Sequence, residues 1–182
     1  MRRLFVILLA FVLSQHIVKA QVSFDPAEGC LNIVDVTAGK GLGESGSDII
    51  SAHYLHERFI NEQFCVGLGV GYSYLNSYQF SAIPLFFSTH YFFLDKRFSP
   101  FVNIRAGMYF PIGNSNQSGV NLYLAPSTGV KLQITPRFGI LASLGYNAYL
   151  LKTLNPVKTV YQTRMVSNLG VSMGVCFQIP GW

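Results

Sequence analysis

The chain is short of charge, of cysteine and of long apolar runs, and each shortage removes a class of protein. Only 12% of its residues are Asp, Glu, Lys or Arg, against roughly 25% in soluble domains. An ordinary water-soluble globule is therefore a poor match. The excess of base is also misleading. Thirteen Lys and Arg stand against eight Asp and Glu, but Arg2, Arg3 and Lys19 lie in the first twenty residues, and ten against eight then leave a formal +2. That balance makes no case for nucleic acid as a partner. Beyond those twenty residues no stretch holds 18 consecutive apolar residues, so no transmembrane helix is expected. The histidines are His16, His53, His56 and His90, and the cysteines Cys30, Cys65 and Cys176. No His/Cys/Asp cluster among them has metal-ligand spacing, and no metal or cofactor is expected.

What is present points elsewhere. Met1-Arg2-Arg3 is a basic start and Leu4–Leu13 an apolar run too short to span a bilayer as a helix. Val18-Lys19-Ala20 then fits a signal-peptidase site. Residues 1–20 read as a cleaved signal peptide and residues 21–182 as one exported domain. Half of the residues are hydrophobic. In Phe64–Tyr74 they follow a strict period of two: Phe64, Val66, Leu68, Val70, Tyr72 and Tyr74 alternate with Cys65, Gly67, Gly69, Gly71 and Ser73. Such a strand has one greasy face and one nearly bare face. A bare face suits the crowded lumen of a small barrel whose greasy face meets lipid. The glycines do not form a phosphate loop, because no helix follows them.

Short turns recur as Asn61-Glu62-Gln63-Phe64, Asp95-Lys96-Arg97-Phe98 and Thr135-Pro136-Arg137-Phe138. They alternate with longer breaks rich in Gly, Ser and Asn at 41–47, 76–79, 113–119 and 152–164. Short turns alternating with longer loops predict an all-β, eight-stranded, antiparallel up-and-down transmembrane β-barrel, with strands near 31–40, 48–60, 64–75, 80–94, 100–111, 120–134, 138–150 and 165–178. An even count puts both termini on the periplasmic side. Parity places Gly107, Gly139, Gly145, Gly170 and Gly174 in the lumen, where small residues are needed. Two aromatic girdles are expected: Phe64, Phe93, Phe98, Phe138 and Phe177 at the turn end, and Tyr72, Tyr74, Tyr109, Tyr123 and Tyr149 at the loop end.

With these features the chain resembles the small eight-stranded outer-membrane β-barrels of Gram-negative bacteria, of the OmpA transmembrane-domain and OmpX type. The segment from Asp95 to Val102, leading into Arg105-Ala106-Gly107, is similar to a turn-and-strand unit of the "outer membrane protein β-barrel domain" families. The resemblance covers the whole mature chain and implies outer-membrane location, with membrane lipid and another envelope protein as partners. Such barrels usually end on an aromatic residue; here Phe177 fits that place, with Trp182 as the alternative.

A structural or partner-binding barrel is the favoured role. Lipid-modifying enzymes of similar size need a Ser, a His and an acid together, and the nearest sequence here is Ser88-Thr89-His90. A strand histidine is more often packed than catalytic, so no catalytic residue is assigned. Passage of a small apolar molecule is the transport alternative, since eight strands leave no open channel. Two structural constellations are expected. Asp35 and Arg105 should meet inside the barrel, with Glu57 and Lys131 as secondary members nearer the periplasmic end, because an interior charge needs a partner. Cys30 and Cys176, on strands that closure makes neighbours, are candidates for a disulfide, with Cys65 free and inward and three buried thiols as the alternative.

Overall fold

The computed structural model describes residues 29–112, 121–155 and 160–180, with the side chains of 151–164 and 180 excepted. The expected signal peptide at residues 1–20, the expected break at 113–119 and Trp182 lie outside the described residues. Eight strands follow in order: β1 (Gly29–Gly41), β2 (Ile49–Phe59), β3 (Phe64–Leu75), β4 (Phe80–Phe92), β5 (Phe98–Ile112), β6 (Asn121–Thr135), β7 (Phe138–Asn155) and β8 (Val160–Pro180). Each pairs antiparallel with the next, and β1 pairs with β8 to close a barrel. The eight strands and their order are those expected.

Register fixes the barrel's dimensions. Crossing the ladders from Asn32 through His56, Leu68, Phe87, Ala106, Leu124, Ala148 and Ser167 leads to Leu42, whose N–H bonds the Ser167 carbonyl. The circuit ends ten residues further along the chain than it began. A shear of this size tilts the strands strongly and leaves an interior that side chains can fill.

Burial alternates along every strand because successive side chains point to opposite faces. In β3, Leu68, Val70, Tyr72 and Tyr74 point outward and exposed, while Cys65, Gly69, Ser73 and Leu75 are buried. Leu68 and Met173 are 63% and 65% exposed. No water-soluble protein of this size leaves so continuous an apolar exterior uncovered. Among the described residues no helix is long and apolar enough to cross a membrane; the strands carry the apolar surface. The lumenal glycines make room for large neighbours. A Cβ on Gly69 would stand 2.3 Å from the Phe86 ring, and one on Gly71 would stand 2.4 Å from His53 Cδ2.

The short turns owe their shape to their opening residues. Asn61 Oδ1 accepts the N–H groups of Gln63 and Phe64 at 2.9 and 2.8 Å, and Thr135 Oγ1 accepts that of Phe138 at 3.1 Å. At the other end a single 3₁₀ turn (Asn76–Tyr78) closes on Gln79, whose φ of 47° is left-handed.

Three expectations are corrected. The break at 152–164 is mostly ladder, since β7 and β8 stay paired from Leu151↔Arg164 to Asn155↔Val160. Lys152 and Arg164 therefore lie within the paired strands rather than in a loop. Tyr109, Tyr123 and Tyr149 do not join an outer girdle. They are 1%, 2% and 0% exposed, inside the barrel, because Met108, Phe110, Leu122 and Leu124 hold the outward positions beside them. Cys30 and Cys176 do not pair: all three cysteines are free. In the β1–β8 ladder Cys30 stands opposite Ile179 and Cys176 opposite Ile33. Parity turns Cys176 inward and Cys30 outward, so closure makes their strands neighbours but not their side chains.

Candidate functional site

The lumen holds the chain's polar chemistry in one connected array. β1 and β5 lie on opposite sides of the barrel, and Arg105 crosses from β5 to Asp35 in β1. Arg105 Nη2 donates to Asp35 Oδ2 at 2.5 Å and Nη1 to Oδ1 at 3.5 Å. Arg105 is only 8% exposed. A base pointing at lipid here would cost about 2–4 kcal/mol, whereas turned inward it finds a carboxylate. Its guanidinium also lies 5.7 Å from the Phe86 ring centroid, and Nε donates to Asn103 Oδ1 at 3.0 Å.

His53 joins the same pair. It sits directly across from Asp35 in the β1–β2 ladder, and its Nδ1–H donates to Asp35 Oδ1 at 2.9 Å. Its ring meets Phe86 edge-on at 5.6 Å. His53 Nε2 is buried with no hydrogen-bond partner among the described residues. Asp35 is therefore held by a cation and a histidine at once.

A second acid–histidine pair lies nearer the turn end. His90 Nδ1 donates to Glu57, 2.7 Å from Oε2 and 2.9 Å from Oε1, and Glu57 is fully buried. Asn103 ties the two layers together: its Nδ2 donates to Ser88 Oγ at 2.9 Å and to the Thr89 carbonyl at 2.8 Å, while its Oδ1 receives Arg105. Lys131 does not reach Glu57; its Nζ sits 4.4 Å from the Phe92 ring centroid instead. Above the Asp35 layer the three inward tyrosines pack together. Tyr149 lies 5.0 Å from Tyr123 and 5.4 Å from Tyr109 between ring centroids. Around them Asn147 Nδ2 donates to Asn168 Oδ1 at 2.8 Å.

The structure thus brings Asp35 and Arg105 together, gives Glu57 to His90 rather than to Lys131, and leaves Cys30 outside. Sequence reasoning missed His53, His90 and Asn103. The signal for His53 was its register against Asp35, but β2 hid it. Tyr54, His56 and Arg58 point out from the same strand while Ser51, His53 and Glu57 point in, so polarity did not mark the face.

Chemically the array is buried. Two cavities of about 10 Å³ flank Arg105, each with room for about one water. Among the described residues no group of three His, Cys, Asp or Glu is arranged to hold a metal.

No family model matches the chain, and no curated protein does. Solved structures do. The crystal structure of Neisserial surface protein A is similar with a TM-score of 0.62 at 18% identity, over 82% of this chain and 97% of that one. The outer membrane protein OprG from Pseudomonas aeruginosa matches with a TM-score of 0.57 at 10% identity, over 87% of this chain and all of that one. At such identities the likeness speaks for architecture, and together with the closed register it makes this chain an eight-stranded barrel of the small outer-membrane fold.

Proposed function

We propose that this protein is an integral outer-membrane barrel of a Gram-negative envelope with a structural or partner-binding role. Its termini and three short turns face the periplasm and its longer loops face outward. The observation that carries the reading is the inverted polarity of a closed sheet. Val36, Leu68, Ile104, Met173 and their neighbours cover the outside, while Asp35, Glu57, Arg105 and the histidines are buried within. Only a hydrocarbon surround makes that arrangement favourable. The filled lumen supports a closed barrel over a pore. The same burial supports a non-catalytic role, since Asp35, His53, Glu57 and His90 are each no more than 4% exposed. Heat-modifiable migration tests the fold in membranes: the folded barrel should run faster on a gel than the boiled chain. A tag inserted at Asn116 should be detected on intact cells and one at Glu62 should not. Equal migration would remove the barrel reading, and exposure of Glu62 without Asn116 would invert the orientation.

A further inference from the structure

At the turn end, the outward faces of the strands depart from their apolar pattern in one place; at the loop end Lys40 is tied to Asp48. From β3 to β8 the described outward side chains include no acid, no base and no carboxamide. On β1 and β2, three such residues cluster near the turn end. Asn32 is the cross-strand partner of His56, and Arg58 follows two residues on, across from Cys30. His56 and Arg58 are exposed and Asn32 is half-buried. Asn32 Oδ1 accepts two hydrogen bonds, from Tyr54 Oη and from His56 Nδ1–H, both at 2.8 Å.

Those two bonds use both lone pairs of the carboxamide oxygen. What Asn32 and Arg58 have left to offer is donors: the amide hydrogens and the guanidinium. Hydrocarbon satisfies neither. The occupant must accept hydrogen bonds and carry negative charge. No acidic side chain on the outward faces of the described strands supplies that: Asp35 and Glu57 point inward, and Glu62 stands in the β2–β3 turn beyond the strand ends, with no ion pair to Arg58. A second copy docked face to face would bring a second Arg58 and no acid to meet the first. The height of the cluster identifies the remaining source. Asn32 is paired directly with Phe177, and Arg58 with Val66, next but one to Phe64. These phenylalanines belong to the turn-end aromatic belt, the level at which lipid headgroups begin.

We propose that Asn32, His56 and Arg58 form a binding site for the phosphate headgroup of a phospholipid in the turn-side leaflet. Arg58 provides the charge and a planar donor fork. Asn32, oriented by Tyr54 and His56, provides a second donor beside it. The site rests on the barrel being embedded in a membrane, and the test separates the two. Wild-type barrel folded in dodecyl maltoside is titrated with phosphatidylglycerol, and lipid retention is read by native mass spectrometry. A glucosyl diacylglycerol with the same acyl chains is the phosphate-free control. One phosphatidylglycerol should be retained per barrel and no glycolipid. The variant Asn32→Ala/Arg58→Gln should bind about tenfold more weakly while keeping its heat-shifted gel mobility. Equal retention by the variant would overturn the site, as would equal retention of the glycolipid. Displacement by equimolar inorganic phosphate, or a dimer in place of the lipid adduct, would overturn it as well. If the wild type inserts into vesicles and shows the heat shift yet holds no lipid, the site alone fails and the membrane reading stands.

Discussion

At the scale of single residues, the energetics centre on Asp35. It accepts from Arg105 and from His53, so its loss strands two partners, whereas loss of Arg105 leaves the carboxylate still bonded to His53. Removing one member of a buried ion pair costs about 3–5 kcal/mol, mainly because the survivor is left uncompensated. Asp35→Ala should therefore destabilise the barrel by an amount in that range, and Arg105→Ala by less. The double variant should cost well below the sum of the two. Urea unfolding of the four proteins in detergent measures this; additive losses would mean that the two side chains do not interact. The pair was readable before the structure because parity and the barrel frame turned both charges inward on opposite strands. His53 was not, because its strand carries polar residues on both faces and only register tells them apart. The cysteines failed for the same reason in reverse: strand adjacency was inferred correctly, but one step of parity sets Cys30 and Cys176 on different sides of the wall.

At the scale of elements, strands and turns were the most legible part. Period-two alternation survives in every strand because the exterior must be apolar, and the turns carry acceptors such as Asn61 and Thr135 that bind their own backbone. The loops were less legible because their order comes from contacts between hairpins. Tyr78 Oη donates to the Ser45 carbonyl, the Ser77 N–H to Ser47 Oγ and the Asn76 N–H to the Asp48 carbonyl, which binds the β1–β2 loop to the β3–β4 loop. Asp48 also closes its own loop, accepting from the Gly41 N–H at 3.0 Å and from Lys40 Nζ at 2.7 Å. The Gly41 backbone donor first, and then Lys40, hold its carboxyl below the ordinary carboxylate value. A depressed value means that the tie is fully present above the unfolded-state value of about 4 and is lost as pH falls through the lowered one. Amide exchange at Gly41 should accordingly be slower in the wild type than in Asp48→Asn at neutral pH, with the difference vanishing in strong acid. The same ratio at both pH values would show that the carboxylate does not set the order of this loop.

At the scale of the whole molecule, closure was readable and the extent of the lumenal filling was not. The three tyrosines above Arg105 look, by position alone, like belt residues; only the neighbouring outward Met108, Phe110, Leu122 and Leu124 show that they point in. Their rings, with Phe80 and Phe86, occupy the loop-side half of the lumen. Liposomes carrying the folded barrel should therefore release a trapped monosaccharide no faster than protein-free liposomes. Rapid release that scales with barrel content would contradict a filled interior.

The ladder between β1 and β8 has a consequence for how the chain reaches this state. Its thirteen residue pairs, from Gly29↔Pro180 to Gly41↔Asn168, join the two ends of the barrel sequence. Every other ladder joins strands that follow one another, so hairpins can form early, but this one must await the last strand. Closing so long a loop is the slow, entropically expensive step of a β topology. Until it happens, two strand edges present unpaired N–H and C=O groups that hydrocarbon cannot satisfy. Assembly is thus a commitment made at the end: the last strand acts as the latch that converts a sheet unfit for the bilayer into one that can stay there.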